Sequence, residues 1–307
     1  MKFSFTSLGC ASALPSADRF PSAHVLNVHE RLFLIDCGEG CQMLLRKWGY
    51  PFLKIDNIFI SHLHGDHIFG IFGLLSTMSM MGRTSQLRIF APAGFSEILS
   101  FFMDHFGEML NYEIVHKSLI SQDMDTIMED RKIKISSFPL NHRVDCYGFR
   151  FDEKRPARNI HKALIDEYKL TLAEIASLKS GEDIVRENGQ ILENLSFTYL
   201  PYIPRSFAYC SDTAPFPGLT RFISGCDMIY HEATFGREMA ETAHSTMHST
   251  AEDAAMAANA AGATKLLIGH FSSRYKDPSI LLDQAREIFP ETYIAREGMT
   301  FDIPLLK

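Results

Sequence analysis

Three histidines and one aspartate fall within the six residues His62-Leu63-His64-Gly65-Asp66-His67, directly after a β-type run, Lys54–Ser61. Imidazole suits zinc, and a carboxylate among imidazoles lets a second cation sit beside the first. Four such groups crowded at the end of a strand therefore point to a metal centre, where a solvated histidine-rich loop would not need this spacing. Gly65 is read as giving the backbone freedom to turn, so that neighbouring side chains face different ions. Two cations need more ligands than this cluster holds. His142 follows the run Lys132–Leu140, Asp212 follows Phe207–Ser211 and His270 follows Lys265–Gly269. The carboxyl ends of strands are where α/β proteins build their sites. Singly, each of the three would pass for an ordinary polar residue; as a set at matching positions they are candidate ligands.

The elements that must position these groups are short and alternate along the chain. Further β-type runs are Lys2–Thr6, Arg31–Asp36, Leu87–Ala91 and Met228–His231, and helical patterns cover Gln42–Lys47, Gly94–Phe106, Ala251–Ala261 and Ile280–Ile288. Ser249-Thr250-Ala251-Glu252 reads as a capping box for the third helix and Gly262 as its stop. Strands mixed with helices indicate an α/β or layered α+β domain over residues 1–307. Asp152 to about Leu195 breaks the pattern: it is polar, charged and partly helical, and reads as an insertion or arm on the main body.

Composition narrows the class. The 307 residues, 46% hydrophobic and 22% charged, suit a globular chain that buries a core without external staples. Met1 to Ser16 alternates apolar and polar residues and lacks the apolar core of a signal peptide. The longest apolar stretch, Ile68 to Met81, is broken by glycines and hydroxyl residues and is too short and polar to span a bilayer. Six scattered cysteines fit reduced thiols in a cytosol, and Cys37 and Cys41, with no second pair nearby, are read as structural. The net charge of −7 argues against a protein that coats nucleic acid non-specifically, though not against a local basic groove.

The H-x-H-x-D-H cluster followed by separated His, Asp and His resembles the motif series of the metallo-β-lactamase superfamily. That resemblance implies a four-layer αβ/βα sandwich with one metal held by His62, His64 and His142, a second by Asp66, His67 and His270, and Asp212 bridging them. Such cations lie about 3.5–4 Å apart. Further stretches resemble ribonuclease Z in particular: Asp36-Cys37-Gly38-Glu39-Gly40, His231-Glu232-Ala233-Thr234-Phe235, His248-Ser249-Thr250, and His270-Phe271-Ser272-Ser273-Arg274-Tyr275. The resemblance implies removal of the 3′ trailer from precursor tRNA with two Zn²⁺ per subunit, manganese or iron remaining open. Asp66 would orient and deprotonate water, His248 would donate a proton, and Glu232 would fix the tautomer of His248. Arg274 reads equally as a phosphate clamp or as half of a structural ion pair.

Members of that family carry an arm that grips the tRNA body, commonly with a Gly-Pro-rich tip, and pair as homodimers. Here residues 152–195 lack such a tip. The arm's base, Lys154 to Lys162, has four positive charges and no acid, and reads either as a phosphate-backbone contact or as a solvated loop. The competing functions are a small-molecule phosphodiesterase on the same fold and a non-catalytic metal- or nucleic-acid-binding relative. The complete ligand set with His248 and Glu232 speaks against the latter.

Overall fold

Strands that bury both faces read as nearly continuous apolar runs, and such strands form the middle of two seven-stranded sheets whose edge strands are more exposed. A computed structural model describes residues 1–14, 19–107 and 110–306; Pro15 and Ser16 of the N-terminal stretch lie outside the described residues. One sheet has the strand order Thr300–Asp302, Phe3–Gly9, Ala23–Val28, Arg31–Cys37, Ile55–Phe59, Leu87–Pro92, Ile114–Leu119. The other runs Thr292–Ile294, Lys265–Gly269, Met228–Glu232, Ser206–Cys210, Tyr147–Glu153, Ile133–Pro139, Asp125–Glu129. From Arg31–Cys37 to Ile114–Leu119, and from Ser206–Cys210 to Thr292–Ile294, neighbouring strands pair in parallel.

Side chains on a strand alternate between faces, and the two faces here do different work. Phe5, His24, Phe33 and Phe59 of the first sheet meet Phe207, Tyr209, Tyr230, Phe149 and Phe151 of the second, with ring centroids 4.7–5.7 Å apart. The alternate residues Val25, Leu34, Ile58 and Ile89 pack with Leu44, Leu74 and Phe95 from helices Cys41–Lys47, Ile71–Met80 and Phe95–Phe106. Ala208, Ile229, Leu266 and Ile268 likewise pack with residues of Leu219–Ile223, Ala251–Ala260 and Ser279–Ile288. The order is helices, sheet, sheet, helices.

One local expectation is corrected. The cap of Ala251–Ala260 is Thr250 with Asp253, not Ser249 with Glu252: Thr250 Oγ1 accepts from Asp253 N, and the Asp253 carboxylate accepts from Thr250 N. Ser249 instead donates its hydroxyl to the carbonyl of Thr213, and Glu252 pairs with Arg237. Gly262, at φ +66°, does follow the helix end. The interrupted apolar stretch folds as the helix Ile71–Met80, burying Ile71, Leu74, Leu75 and Met78; its small residues Gly73 and Ser76 hid the helical period. Among the described residues no helix is long and apolar enough to cross a membrane. All six cysteines are buried and none forms a disulfide, and Cys37 and Cys41 sit in the apolar core.

The chain divides into two compact units: Met1–Met128, Ile135–Phe151 and Ser206–Ile303 form the first, and Glu129–Lys134, Asp152–Arg205 and Pro304–Lys307 the second. The second unit has a small core of its own, Leu170, Leu178, Leu192 and Phe197. Its helix Leu172–Ser180 starts at a Thr171–Glu174 capping box, and Arg186 bonds the same Glu174 through Nε and Nη2.

Phe59 is fully buried, stacked 4.8 Å from Phe90 and edge-on to Phe149 and Phe151 across the sheets. Phe59→Ala is expected to lower stability by about 3–5 kcal/mol. The urea midpoint should fall with little change in slope; an unmoved midpoint would show that the aromatic layer does not hold the sheets.

Candidate metal centre

The strand Ile55–Phe59 delivers Ser61 and His62 to the edge of its sheet, and His64 begins the short helix Gly65–Ile68 that carries Asp66 and His67. Gly65 occupies a helical position rather than a left-handed turn. A Cβ there would lie 2.3 Å from the exposed Phe69 ring, which would have to turn aside. A second close approach fixes the neighbouring loop: a Cβ on Gly38 would meet the Asp66 carbonyl at 2.4 Å, which accounts for the glycine in Asp36-Cys37-Gly38. His142, Asp212 and His270 arrive from the other sheet, just past strands Ile133–Pro139, Ser206–Cys210 and Lys265–Gly269.

All seven residues are brought together. Asp212 Oδ2 lies 3.5 Å from His62 Nε2 and 4.0 Å from His142 Nε2, while Oδ1 lies 3.5 Å from His67 Nε2 and 3.3 Å from His270 Nε2. His64 Nδ1 completes the first group, 3.0 Å from His62 Nε2 and 3.4 Å from His142 Nε2. Asp66 Oδ2 completes the second, 3.5 Å from both His67 Nε2 and His270 Nε2. Ligands at zinc's bond lengths on a tetrahedron are about 3.3 Å apart, so this spacing fits a cation in each group. A further sign is that, among the described residues, His67 Nε2, His270 Nε2 and Asp212 Oδ1 are buried with no hydrogen-bond partner, a costly state unless something positive sits among them.

The opposite ring nitrogens are held. His62 Nδ1 meets Ser61 Oγ at 3.0 Å, His142 Nδ1 the Met247 carbonyl at 2.9 Å, His270 Nδ1 Thr234 Oγ1 at 2.9 Å, and His67 Nδ1 Asp36 Oδ2 at 2.8 Å. Such contacts fix the tautomer and would leave Nε2 to take a cation. Asp36 is the residue that sequence reasoning quoted in a motif without giving it a role. Fully buried at φ +54°, it also accepts from Ser61 N, Ser61 Oγ and Tyr209 Oη. Its signal was an aspartate ending an apolar strand, where an unpaired charge would not be tolerated.

Burial pushes the pKa values of His62, His64 and His142 below the usual histidine range, leaving the neutral, ligating form. Burial acts on His67 in the same direction, but Asp212, Asp66 and Asp36 outweigh it and raise its pKa. Burial opposes charge on His248 too, yet the Glu232 carboxylate, 2.9 Å from Nδ1, lifts it to about 9. Glu232 is wholly buried and also accepts from Ser249 N, Thr213 N, Thr234 N and Thr234 Oγ1. With Nδ1 so engaged, His248 lines a cleft of about 300 Å³ together with His64, Asp66, Asp212, Arg143 and Arg274. Among the described residues Arg274 makes no ion pair; its guanidinium lies 6.0 Å from the Phe235 ring and 3.4 Å from Ser272 Oγ. The guanidinium lines the cleft.

A family profile described as "Anti-Pycsar protein Apyc1" matches residues 3–154. A ribonuclease Z of Bacteroides fragilis is 41% identical over 302 residues, covering 98% of this chain and 99% of that protein. Among solved structures, the short form of human tRNase Z aligns over 98% of this chain and 99% of its own with a TM-score of 0.71 at 24% identity. A metallo-β-lactamase fold protein of Bacillus subtilis aligns over 99% and 100% with a TM-score of 0.70 at 19% identity. The two sheets and their outer helices therefore form the metallo-β-lactamase fold, the four-layer architecture that the motif series implied.

Asp36→Asn removes the charge that Ser61, Tyr209 and His67 all address. It is expected to weaken cation binding about 10–100-fold, read by titration against a competing chelator. Wild-type affinity in that variant would show that Asp36 has no part in holding His67.

Proposed function

The chain belongs to the ribonuclease Z family, and on that premise we propose that it cuts the 3′ trailer from precursor tRNA with two divalent cations, zinc by preference, held in the Asp212 cleft. It is a hydrolytic endoribonuclease of the phosphodiesterase kind, as its relatives are named over their full length. The observation that carries the two-cation reading is the split of Asp212, with one oxygen towards each histidine group. His62, His64 and His142 would hold one cation, Asp66, His67 and His270 the other, and Asp212 both; nitrogen-rich ligand sets of this kind favour zinc over manganese or iron. Cations bound there neutralise phosphate oxygens and lower the pKa of water into the neutral range.

The remaining work falls to the chain. Asp66, whose Oδ2 is pinned by the Ala13 amide at 2.8 Å, orients the water and accepts its proton. His248 donates from Nε2 to the departing 3′ oxygen, and Glu232 keeps Nδ1 protonated and the ring fixed. Arg143 and Arg274 on the cleft wall supply guanidinium groups of the geometry that suits phosphate. Residues 152–195 serve as the inserted arm that holds the RNA. The protein works in the cytosol as a homodimer. Pairing with a second copy is supported by an apolar stripe on helix Ile71–Met80 and its flank, Phe69, Phe72 and Met80, beside exposed Phe101 and Phe106. The full-length relatives favour this reading over a small-molecule phosphodiesterase.

Metal-loaded protein should cleave a precursor tRNA once, just after the discriminator base, and chelator should abolish the cut; intact precursor with both cations bound refutes the proposal. His248→Ala should keep metal content and RNA affinity while slowing cleavage by roughly 10²-fold or more. An unchanged rate in that variant takes His248 out of the reaction.

A further inference from the structure

The inserted unit is not uniformly charged. Between Lys154 and Lys162 stand Lys154, Arg155, Arg158 and Lys162 with no acid, whereas residues 163–195 hold three lysines or arginines against seven acids. One of those three, Arg186, is tied to Glu174. The distal part therefore repels a phosphate backbone, and any electrostatic grip must come from the base.

The base also carries a pair of rings. Asn159–Ile160 and Thr198–Tyr199 form a two-stranded ribbon in which Asn159 pairs with Tyr199 and Ile160 with Thr198. Ile160 packs against the unit's core and Thr198 is buried, whereas Tyr199 remains 44% exposed. His161, exposed and held by a bond from its amide to the Phe197 carbonyl, lies against the Tyr199 ring at 4.9 Å and 40°. Arg158 is fixed beside them, its Nε donating to Thr198 Oγ1 and its Nη2 to the Thr198 carbonyl. Lys154 pairs with Glu129, but Arg155 and Lys162 are exposed and make no ion pair among the described residues. Exposed aromatic rings flanked by uncommitted cations are what binds single-stranded nucleic acid: a base stacks on the ring while its phosphates meet the charges.

We propose that His161 and Tyr199, with Arg155, Arg158 and Lys162, form a binding site for one unpaired RNA base and its flanking phosphates. This inference rests on the ribonuclease reading and deepens it: the arm holds substrate at its base, by stacking and charge together, and not at its acidic end.

Binding of a labelled single-stranded oligoadenylate of eight residues, a blunt RNA duplex and a precursor tRNA to the full chain tests the site. Tyr199→Ala should weaken the single strand about tenfold, leave the duplex unchanged, and be rescued by Tyr199→Phe, which keeps the ring. Arg155→Ala with Lys162→Ala should lower the slope of log affinity against log salt by about 1 per lost phosphate contact. Turnover of a small aryl phosphodiester, which needs the metal cleft alone, should be unchanged in all variants and reports that they are folded. Oligoadenylate affinity in Tyr199→Ala equal to wild type overturns the site, even if precursor cleavage proceeds. Intact precursor with Tyr199-dependent binding overturns the ribonuclease reading and leaves the site standing.

Discussion

The placement of Asp212 between two groups of imidazoles is the constraint on which the site depends. Asp36, Asp66, Asp212 and Glu232 all lie in or beside the cleft, and Asp36, Asp212 and Glu232 are at most 2% exposed. Buried carboxylates are tolerated only when matched by positive charge or by several donors. Glu232 meets that demand with donors, accepting from three amides and a hydroxyl besides His248. Asp36 meets it with Ser61, Tyr209 and His67. Asp212 does not: among the described residues its carboxylate faces ring nitrogens at 3.3 Å or more, and its Oδ1 has no donor. The deficit at Asp212, more than the number of histidines, is what supports the cation reading of the cleft.

The fold creates that deficit by register. Parallel pairing sets Cys210 beside His231 and Glu232 beside Gly269, so the residues just beyond three adjacent strands emerge at one edge. Asp212, Glu232 and His270 are neighbours for that reason. In the other sheet, Ile35 pairs with Phe59, which brings Asp36 level with the approach to Ser61. The two edges are then locked to each other. Tyr209, stacked on Tyr230 within the aromatic layer, crosses to Asp36 with a 2.7 Å hydrogen bond. An aromatic core with one polar handle thus sets the distance between the halves of the candidate metal site.

Strands buried on both faces were legible because their apolar runs are short and bounded, and every run named from the sequence overlaps a strand. Ala23–Val28 and Tyr147–Glu153 escaped because His24, Asn27, Arg150 and Asp152 interrupt them; His24 is nonetheless fully buried among Phe5, Tyr209 and Tyr230. The seven candidate ligands could be found because each follows a strand, a feature that periodicity exposes. Asp36 could be quoted but not understood, since its partners Ser61, His67 and Tyr209 are 25, 31 and 173 residues away. The cap was misplaced by one residue because Ser249 and Thr250 are equally good caps in isolation. What separates them is the Thr213 carbonyl, which only the folded chain places within reach of Ser249.

A chain with net charge −7 cannot attract RNA from a distance, so whatever holds the substrate must act locally. Within the cleft Arg143 donates to the Ser245 carbonyl and Arg274 rests near Phe235, and among the described residues neither guanidinium pairs with a carboxylate. Within the inserted unit Arg155, Arg158 and Lys162 likewise make no ion pair among the described residues, while the remaining cations are paired or outnumbered by acids. Selective placement of a few unneutralised cations on an acidic chain disfavours RNA that makes only general backbone contact. Recognition must then come from a substrate that satisfies several short-range contacts at once, which suits an enzyme that cuts one bond in one kind of RNA better than a uniformly basic surface would.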